Sequence, residues 1–515
     1  MASAGPSETD SPEHEQQRDI AHAARSGGMQ VLTVAAQALL SITHVLLARL
    51  FGRAVFGSYQ ACLAILELVT RGGTGGAGGG MLRYVAAHRA RGEEENVRSA
   101  IGTGLWVCLT LSSAAAAILI ATAGPVARLM REPALESALR IMAPAAIVAG
   151  CTVVLVQASL AAKVTRANFY VRGIGEPASL LVAGLSAALI GRSLSTLAVA
   201  HLVAATATLL LAIFAVGRVF GPGELRRAMG ARRLPGFVRF SLPLAAGDLL
   251  NAVLQRADII LVTMFVGTSA AGAYAAAEFI TRVIASARSV FDSVAAPVFS
   301  EAVTMGQRDR LKQNLVMMNR WVFTVATPIA FTVAVLRRDL LALYGPAFQE
   351  GATAVCILAV SHWINVSLGL VGWILVTGGR SRSLLLNNVL SASLNIGLGI
   401  ALIPRFGLVG TAFAALGGTT LGNVMMAVEV RMGFGIYPFD RTILKPLGAA
   451  TVALAVELAL ARQIAHVGLR VPLVIVTGLV LYVATLLALG LAPEERRLAH
   501  GAWTRLRAGR ERRDA

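Results

Sequence analysis

Long apolar stretches recur along this chain from residue 27 almost to its end. Each is about 20 residues or longer, which is enough for a helix to cross the roughly 30 Å hydrocarbon core of a bilayer. Hydrophobic residues make up 56% of the 515-residue sequence and charged residues only 14%, whereas soluble domains carry roughly 25% charged residues. The stretches predict an all-α, polytopic membrane protein.

Fourteen segments meet the length requirement, and the distribution of Lys and Arg orients them. The predicted segments are 27–50, 55–82, 99–122, 140–162, 169–190, 195–217, 240–265, 270–299, 313–336, 351–377, 383–403, 407–430, 445–464 and 471–492. Loops and adjoining helix ends on the side that holds both termini contain 31 of the 46 Lys and Arg residues, and those on the other side contain 11. Since an excess of Lys and Arg marks the cytoplasmic side, both termini are predicted to be cytoplasmic. This loop charge explains the net charge of +18, and we expect no nucleic-acid partner.

An internal repeat divides the chain. The stretch FGRAVFGSYQA at 51–61 aligns without a gap with VGTSAAGAYAA at 266–276, and Trp106 aligns with Trp321 at the same offset of 215 residues. Each copy holds six helices, so two lobes of equal orientation are expected to enclose a site at their interface, as in alternating-access carriers. The predicted divisions are a disordered cytoplasmic segment at 1–26, an N-lobe at 27–217, a cytoplasmic linker at 218–239, a C-lobe at 240–430, two further helices at 431–492 and a basic cytoplasmic tail at 493–515.

Charged side chains inside the predicted helices are the candidate site residues. Such a charge costs at least about 2.5 kcal/mol at mid-membrane, so it usually faces a cavity or a partner. Glu67 and Arg71 are four residues apart in the second segment, as are Glu278 and Arg282 in the eighth, so each pair can form an ion pair on one helix face. The remaining candidates are Asp248, Arg256 and Asp258 in the seventh segment, Arg288 and Asp292 in the eighth, and His44 as a candidate proton site. We expect the four arginines to contact phosphate, because a planar guanidinium donates two hydrogen bonds to it. The alternative is that these groups form neutral pairs that only stabilise helix packing.

The run RGGTGGAGGG at 71–80 contains seven glycines in ten residues, within the predicted inner third of the second helix. It lacks the lysine of a phosphate-binding P-loop. One hypothesis is close packing, because small residues let a neighbouring helix approach. The other is a hinge that opens an inner gate. Gly73, Gly76 and Gly79 are the positions assigned to either role.

Four stretches carry a family resemblance. They are LLARLFGRAVFGSYQA at 46–61, GGGMLRYVAAHRARGE at 78–93, FSLPLAAGDLLNAVLQRADIILVTMFVGTSAAGAY at 240–274 and LNNVLSASLNIGLGIALIPRFGLVGTAFA at 386–414. Over about residues 20–440 the chain resembles the Wzx-type polysaccharide flippases of the multidrug/oligosaccharidyl-lipid/polysaccharide (MOP) exporter superfamily.

The resemblance implies a V-shaped bundle of two six-helix lobes around a cationic cavity. It further implies that an undecaprenyl-diphosphate-linked oligosaccharide moves to the outer leaflet of a bacterial plasma membrane, for polysaccharide or lipopolysaccharide O-antigen synthesis. The membrane arginines would face the diphosphate. The implied partners are this lipid-linked substrate, membrane lipids and other polysaccharide-assembly proteins.

Three other functions stay open. A peptidoglycan-precursor flippase and a cation-coupled multidrug exporter of the same superfamily share the implied architecture, although the exporter predicts a cavity rich in carboxylates, not arginines. A membrane enzyme such as a glycan polymerase or glycosyltransferase needs catalytic carboxylates or histidines in a sizeable outer loop, and the predicted outer loops are short. We therefore predict no catalytic residues, no cofactor and no metal site.

Overall fold

The computed structural model describes residues 12–221 and 223–490. The predicted tail at 493–515 and the first part of the predicted segment at 1–26 lie outside the described residues. All regular elements within the described ranges are helices, with the bounds α1 Pro12–Gly73, α2 Ala77–Ala90, α3 Glu94–Leu129, α4 Ala134–Ala161, α5 Thr165–Asn168, α6 Glu176–Ile190, α7 Leu194–Phe220, α8 Glu224–Gly230, α9 Pro235–Phe265, α10 Thr268–Thr304, α11 Arg308–Val335, α12 Arg337–Ala342, α13 Ala352–Leu368, α14 Val371–Thr377, α15 Ser381–Phe434, α16 Leu444–Gln463 and α17 Val467–Ala488. A π-helical turn at Phe169–Gly175 leads into α6, and 3-10 turns at Pro346–Gly351 and Arg441–Ile443 precede α13 and α16.

Helix α1 begins at Pro12, so the structure places residues 12–26 in a helix where the sequence analysis predicts disorder. Proline is favoured at the first position of a helix, because it has no N–H to leave unbonded there. Much of the following stretch consists of Glu, Gln, Ala and Arg, which are good helix formers. Its polar composition therefore argues against burial but not against helix formation.

The fourteen predicted segments all fall on helices, although the structure divides them differently. Eleven helical stretches of the described chain are long and apolar enough to cross a membrane. One stretch, Ala38–Gly73, holds parts of the first and second predicted segments around a non-helical Gly52, and another, Arg382–Phe434, holds the eleventh and twelfth around a non-helical Gly407. The eighth predicted segment lies in α10, whose charged residues lower its hydropathy, and it is not among the eleven.

Two compact units make up the fold, and each is described by itself. The first contains the residues up to Phe279 with Leu341–Ala354 and Ile396–Ala414, and the second contains Ile280–Leu340, Val355–Asn395 and the residues from Ala415 onward. A boundary between them falls inside α10, and α9 packs against α1 and α2 within the first unit. The lobes and the linker at 218–239 stay predictions.

Equivalent glycines of the repeat meet at one helix crossing in the first unit. Gly52 and Gly267 have positive φ angles of 79° and 114°, and each precedes the helical stretch that reaches the crossing. There Gly57 and Gly272 touch: a Cβ on Gly57 would lie 2.6 Å from the Gly272 nitrogen, and a Cβ on Gly272 would lie 3.2 Å from the Gly57 nitrogen. Helix backbones approach this closely only where side chains are absent or very small. When two copies of a repeat are related by a two-fold axis, equivalent positions contact each other at that axis. The contact between Gly57 and Gly272 therefore supports the internal duplication.

Hydrogen bonds beside this crossing are also reciprocal. Arg53 donates from Nη1 to the Ala347 carbonyl oxygen at 2.7 Å, and it forms an ion pair with Glu350. Thr268 donates to Glu132 Oε2 at 3.2 Å. At the 215-residue offset, Arg53 corresponds to Thr268, and Glu132 corresponds to Ala347. Each copy of the repeat therefore bonds the equivalent loop of the other copy.

In the second unit, α16 and α17 pack on α11 through apolar and polar contacts. Tyr482 of α17 is buried, and its hydroxyl donates to the Thr324 carbonyl oxygen at 2.7 Å. Glu457 of α16 is 2% exposed and accepts a hydrogen bond from Thr332 Oγ1 at 2.7 Å. Helices α16 and α17, which lie outside the predicted repeat, thus contact α11 at two positions along its length, Thr332 and Thr324.

Candidate substrate site

Glu67 joins two of the predicted arginines in the first unit. Arg256 of α9 donates from Nε to Glu67 Oε2 at 2.6 Å, and Arg71 donates from Nη2 to Glu67 Oε1 at 3.4 Å. The side chains of Glu67 and Arg256 are 23% and 22% exposed, whereas that of Arg71 is 45% exposed. Two guanidinium groups thus share one carboxylate on two helical stretches that are apolar enough to cross a membrane. A further carboxylate, Glu176, lies close enough to interact electrostatically with Glu67.

The other predicted carboxylates of the first unit have different surroundings. Asp258 accepts a hydrogen bond from the Tyr274 hydroxyl at 3.0 Å. Asp248 is exposed, and Glu278 is half-buried. Arg256 follows Asp248 and precedes Asp258 in α9, but its ion pair is with Glu67 on another helix.

His44, the predicted proton site, is 5% exposed in the first unit. Its Nδ1 lies 2.8 Å from the Leu40 carbonyl oxygen, one helical turn earlier, and its ring centroid lies 4.1 Å from that of Phe279. These contacts hold the imidazole in one orientation. Among the described residues, no three His, Cys, Asp or Glu side chains are grouped so that they could hold a metal ion.

In the second unit, Arg288 and Asp292 form a third predicted group. Arg288 donates from Nε to Asp292 Oδ2 at 3.2 Å, and Trp373 Nε1 donates to Asp292 Oδ1 at 2.9 Å. The Arg288 guanidinium lies against Gly369, where a Cβ would overlap it. Asp292 has a partner on each oxygen, as the helix-packing alternative predicts. Arg282, also in this unit, has an exposed side chain.

The glycine run interrupts the predicted second helix. Helix α1 ends at Gly73 and α2 begins at Ala77. Between them Gly75 and Gly76 have φ angles of 57° and 67°, a conformation that residues with a Cβ rarely adopt. The continuous helix predicted over 55–82 is therefore wrong at this point, because consecutive glycines relieve the steric restriction that otherwise keeps φ negative.

The same glycines are closely packed. A Cβ on Gly73 would lie 2.6 Å from Ser112 Oγ, and a Cβ on Gly79 would lie 2.6 Å from Leu244 Cδ1. A Cβ on Gly76 would overlap a backbone carbonyl of α9. Close packing and a break in the helix thus occur together, and movement at the break during transport stays a prediction.

Two buried charged residues of the second unit are not among the candidates predicted from the sequence. Arg320 of α11 is 6% exposed, and its Nη1 lies 3.2 Å from Thr442 Oγ1 and 3.9 Å from Asp440 Oδ2. Glu457 lies in an apolar helix, so the rule that selects Glu67 would also have selected Glu457. Arg320 lies inside the predicted segment 313–336, so the same rule would have selected it too. Its burial could not be predicted, because it depends on the loop that folds over α11.

Two solved structures share this fold. "Lipid II flippase MurJ, inward closed conformation" superposes with a TM-score of 0.69 at 12% identity, over 88% of this chain and 97% of that chain. "Inward-facing conformation of a multidrug resistance MATE family transporter of the MOP superfamily" superposes with a TM-score of 0.67 at 11% identity, over 79% of this chain and 98% of that chain. At such identities the likeness shows the fold alone, and the predicted all-α polytopic class is confirmed.

Two curated relatives are similar over part of their length. The "Succinoglycan biosynthesis transport protein ExoT" of Rhizobium meliloti is 25% identical over 335 residues, which is 63% of this chain and 62% of that protein. The "Probable flippase AglR" of Haloferax volcanii is 26% identical over 171 residues, which is 33% of this chain and 36% of that protein. This chain therefore spans less than two thirds of either relative.

A family model described as "Polysaccharide biosynthesis protein" matches residues 46–352, which is more than half of the chain. The matched range includes Glu67, Arg71 and Arg256 and all of α10. With the relatives and the shared fold, this match confirms the resemblance to Wzx-type flippases of the MOP superfamily. The chain belongs to the polysaccharide biosynthesis protein family, as a multi-pass membrane protein.

Proposed function

We propose that this protein is an alternating-access flippase that moves an undecaprenyl-diphosphate-linked oligosaccharide across a bacterial plasma membrane for polysaccharide synthesis. The observation that carries the proposal is the cluster of Arg71, Glu67 and Arg256, with two cations and one anion on membrane-crossing helices. An unbalanced positive charge is costly in lipid unless a partner compensates it. A diphosphate can compensate it, because guanidinium groups bind phosphate oxygens in bidentate geometry.

The related proteins support transport of a glycan precursor. One relative is named a probable flippase and another a transport protein for succinoglycan biosynthesis. Both names describe transporters and not catalytic enzymes, so we propose that this chain has no enzymatic step. Its partners would be the lipid-linked substrate, the surrounding lipids and other polysaccharide-assembly proteins.

A second candidate function is transport of a peptidoglycan precursor. It is favoured by the superposition on the structure named lipid II flippase MurJ, which covers 88% of this chain. Both candidates carry a sugar on a lipid diphosphate, so the charged cluster serves either. A multidrug exporter that takes up cations is less compatible with this cluster, because its net charge is positive.

Flipping by the full chain in proteoliposomes tests the proposal. The substrate would be undecaprenyl-diphosphate-linked oligosaccharide from the host, and transport would be measured as exposure of its glycan to an impermeant lectin. We expect Arg71→Ala to abolish flipping and Arg256→Ala to weaken it. Lysine at either position should restore only part of the rate, since an ammonium lacks the planar fork of donors.

A matched control is Arg140→Ala. Arg140 forms an exposed ion pair with Glu136 at 2.7 Å on α4, and its loss should leave flipping unchanged. Normal flipping by a triple alanine variant at positions 71, 256 and 282 would overturn the diphosphate role. Flipping of lipid II, with no transport of the oligosaccharide-linked lipid, would instead favour the second candidate.

A further inference from the structure

A cleft in the second unit is lined by none of the charged residues that the sequence analysis selected. It has a volume of about 660 Å³ and is formed by one face of α11 and the loop that follows α15. Small-molecule pockets usually have volumes of roughly 300–1,000 Å³. The α11 side contributes Asp309, Lys312, Gln313 and Arg320, which recur at helical spacing along the same face.

The opposite wall is a loop with two aromatic rings. Tyr437 and Phe439 line the cleft, with 51% and 37% of their surfaces exposed. The Arg431 guanidinium lies 4.3 Å from the centroid of the Tyr437 ring, and about half of Tyr437 stays exposed beside it. The loop itself is well anchored, because the buried Asn319 donates to the Pro438 carbonyl oxygen at 3.2 Å. The rings are therefore presented by an ordered wall.

The charges of the cleft nearly cancel. Lys312 and Arg320 are basic, whereas Asp309 and Asp440 are acidic. Arg320 at the floor is 6% exposed and lies 3.9 Å from Asp440, so its charge is already compensated. These lining residues carry two cations and two anions, and a further cation, Arg431, lies over the Tyr437 ring. A phosphate or an anionic lipid headgroup is held best where cations clearly outnumber acidic groups.

Aromatic rings beside carboxylate, amide and amine groups suit a neutral, polyhydroxylated ligand. The C–H face of a sugar ring packs on an aromatic ring, while its hydroxyl groups both donate and accept hydrogen bonds. Asp309 can accept such bonds, Lys312 can donate them and Gln313 can do both. The cleft offers both kinds of contact in one place.

We propose that this cleft binds sugar residues of the lipid-linked substrate. This inference rests on the proposed function and deepens it, because it gives the glycan a recognition site separate from the arginines assigned to the diphosphate. The α11 end and the loop lie on the side where Lys and Arg are in excess, which is the side where such a substrate would be made. The cleft would then select substrates by their sugars before they are flipped.

Binding measurements on the full chain in nanodiscs test the inference. One probe is host undecaprenyl-diphosphate-linked oligosaccharide, and the other is undecaprenyl diphosphate without sugar. We expect Y437A/F439A to weaken the affinity for the glycosylated lipid by about tenfold, the order expected when aromatic contacts are removed. The same variant should bind the sugar-free lipid as the wild type does, whereas Arg256→Ala should weaken binding of both lipids.

Two further variants guard against a folding defect. Y437F/F439Y keeps both rings and should retain binding, and Gln313→Ala changes only an exposed residue of α11 and should weaken binding of the glycosylated lipid alone. Phe406→Ala, which removes an aromatic ring that is 58% exposed elsewhere on the chain, is the matched control and should change neither affinity.

Several outcomes would overturn the inference. If Y437A/F439A and Gln313→Ala bind both lipids normally, the cleft is not a glycan site, although the proposed function stands. Equal wild-type affinity for the two lipids would also exclude a glycan contact. Variant-dependent binding of phosphatidylglycerol vesicles would identify a lipid-headgroup site instead. If the wild type binds neither undecaprenyl lipid, the proposed function and this inference fail together.

Discussion

Replacing Glu67 by Gln should destabilise the protein by leaving two arginines without their shared carboxylate. The main loss is the contact with Arg256 at 2.6 Å, in a pair whose side chains are about one quarter exposed. Breaking a fully buried pair costs about 3–5 kcal/mol, whereas exposed pairs are worth about 0–1 kcal/mol. Arg71 adds little, because its contact is 3.4 Å long and its side chain is 45% exposed. We therefore expect a loss of about 2–3 kcal/mol, between these limits.

Equilibrium unfolding in mixed micelles can measure this loss. The double variant E67Q/R256Q removes the uncompensated cation and should recover at least half of the lost stability. Glu136→Gln is the matched control, since its pair with Arg140 is exposed and on a single helix; we expect it to cost less than about 1 kcal/mol. A Glu67→Gln variant as stable as the control variant, or a double variant less stable than the single one, would contradict this role of the Glu67 carboxylate.

The same variant separates a structural role of the cluster from a role in binding. With Glu67 neutral, the two guanidinium groups carry more net charge toward a phosphate. If they contact the diphosphate, the affinity for undecaprenyl diphosphate should rise while stability falls. A cluster that only holds α1 against α9 would lower both quantities together, and that result would contradict the diphosphate role.

Three other expectations follow from the structure. Gly76→Ala should reduce the yield of folded protein in size-exclusion chromatography, because positive φ and close packing both exclude a Cβ, whereas Gly78→Ala, with its nearest neighbour at 3.5 Å, should be tolerated; equal yields would contradict this. A hydrogen bond from Arg98 lowers the folded-state pKa of Glu224. The ionised Glu224 therefore stabilises the folded state at pH values above the ordinary carboxyl pKa, and this stabilisation is lost as the pH falls through the lowered pKa. Glu224→Gln should therefore lower the melting temperature at pH 7 and lower it by less as the pH falls below the ordinary carboxyl pKa, and a pH-independent difference would refute the assignment. A reporter fused after residue 492 should read as cytoplasmic, and an external signal would overturn the charge-based topology.

Sequence periodicity predicts contacts within a helix but not between helices. The pairing of Glu67 with Arg71 follows from their spacing of four residues, which places both on one face. The stronger contact with Arg256 depends on how α1 and α9 pack, and no local pattern encodes it. Similarly, Trp373 reaches Asp292 from another helix. The apolar segments therefore predict the fold class, whereas the geometry of each charged group has to come from the structure.

The glycine run shows a second limit. Its composition indicates that the second predicted helix is unusual, but composition alone fits a packed helix and a broken one equally well. At the break, both glycines have a left-handed backbone, and both are closely packed, Gly75 against α3 and Gly76 against α9. Only the neighbouring helices decide which glycines of the run leave the helix.

The contact between Gly57 and Gly272 limits how the two halves of this protein can diverge in evolution. Other equivalent positions have different neighbours in the two halves: Tyr59 forms a hydrogen bond with His201, whereas its counterpart Tyr274 forms one with Asp258. Each such position can therefore change without affecting its counterpart. At the glycine contact each residue is the other's neighbour, so a mutation in one half meets its own counterpart. Neither half can gain a side chain there unless the crossing itself moves. The two positions are therefore expected to stay glycine in both halves long after the remaining likeness between them has been lost.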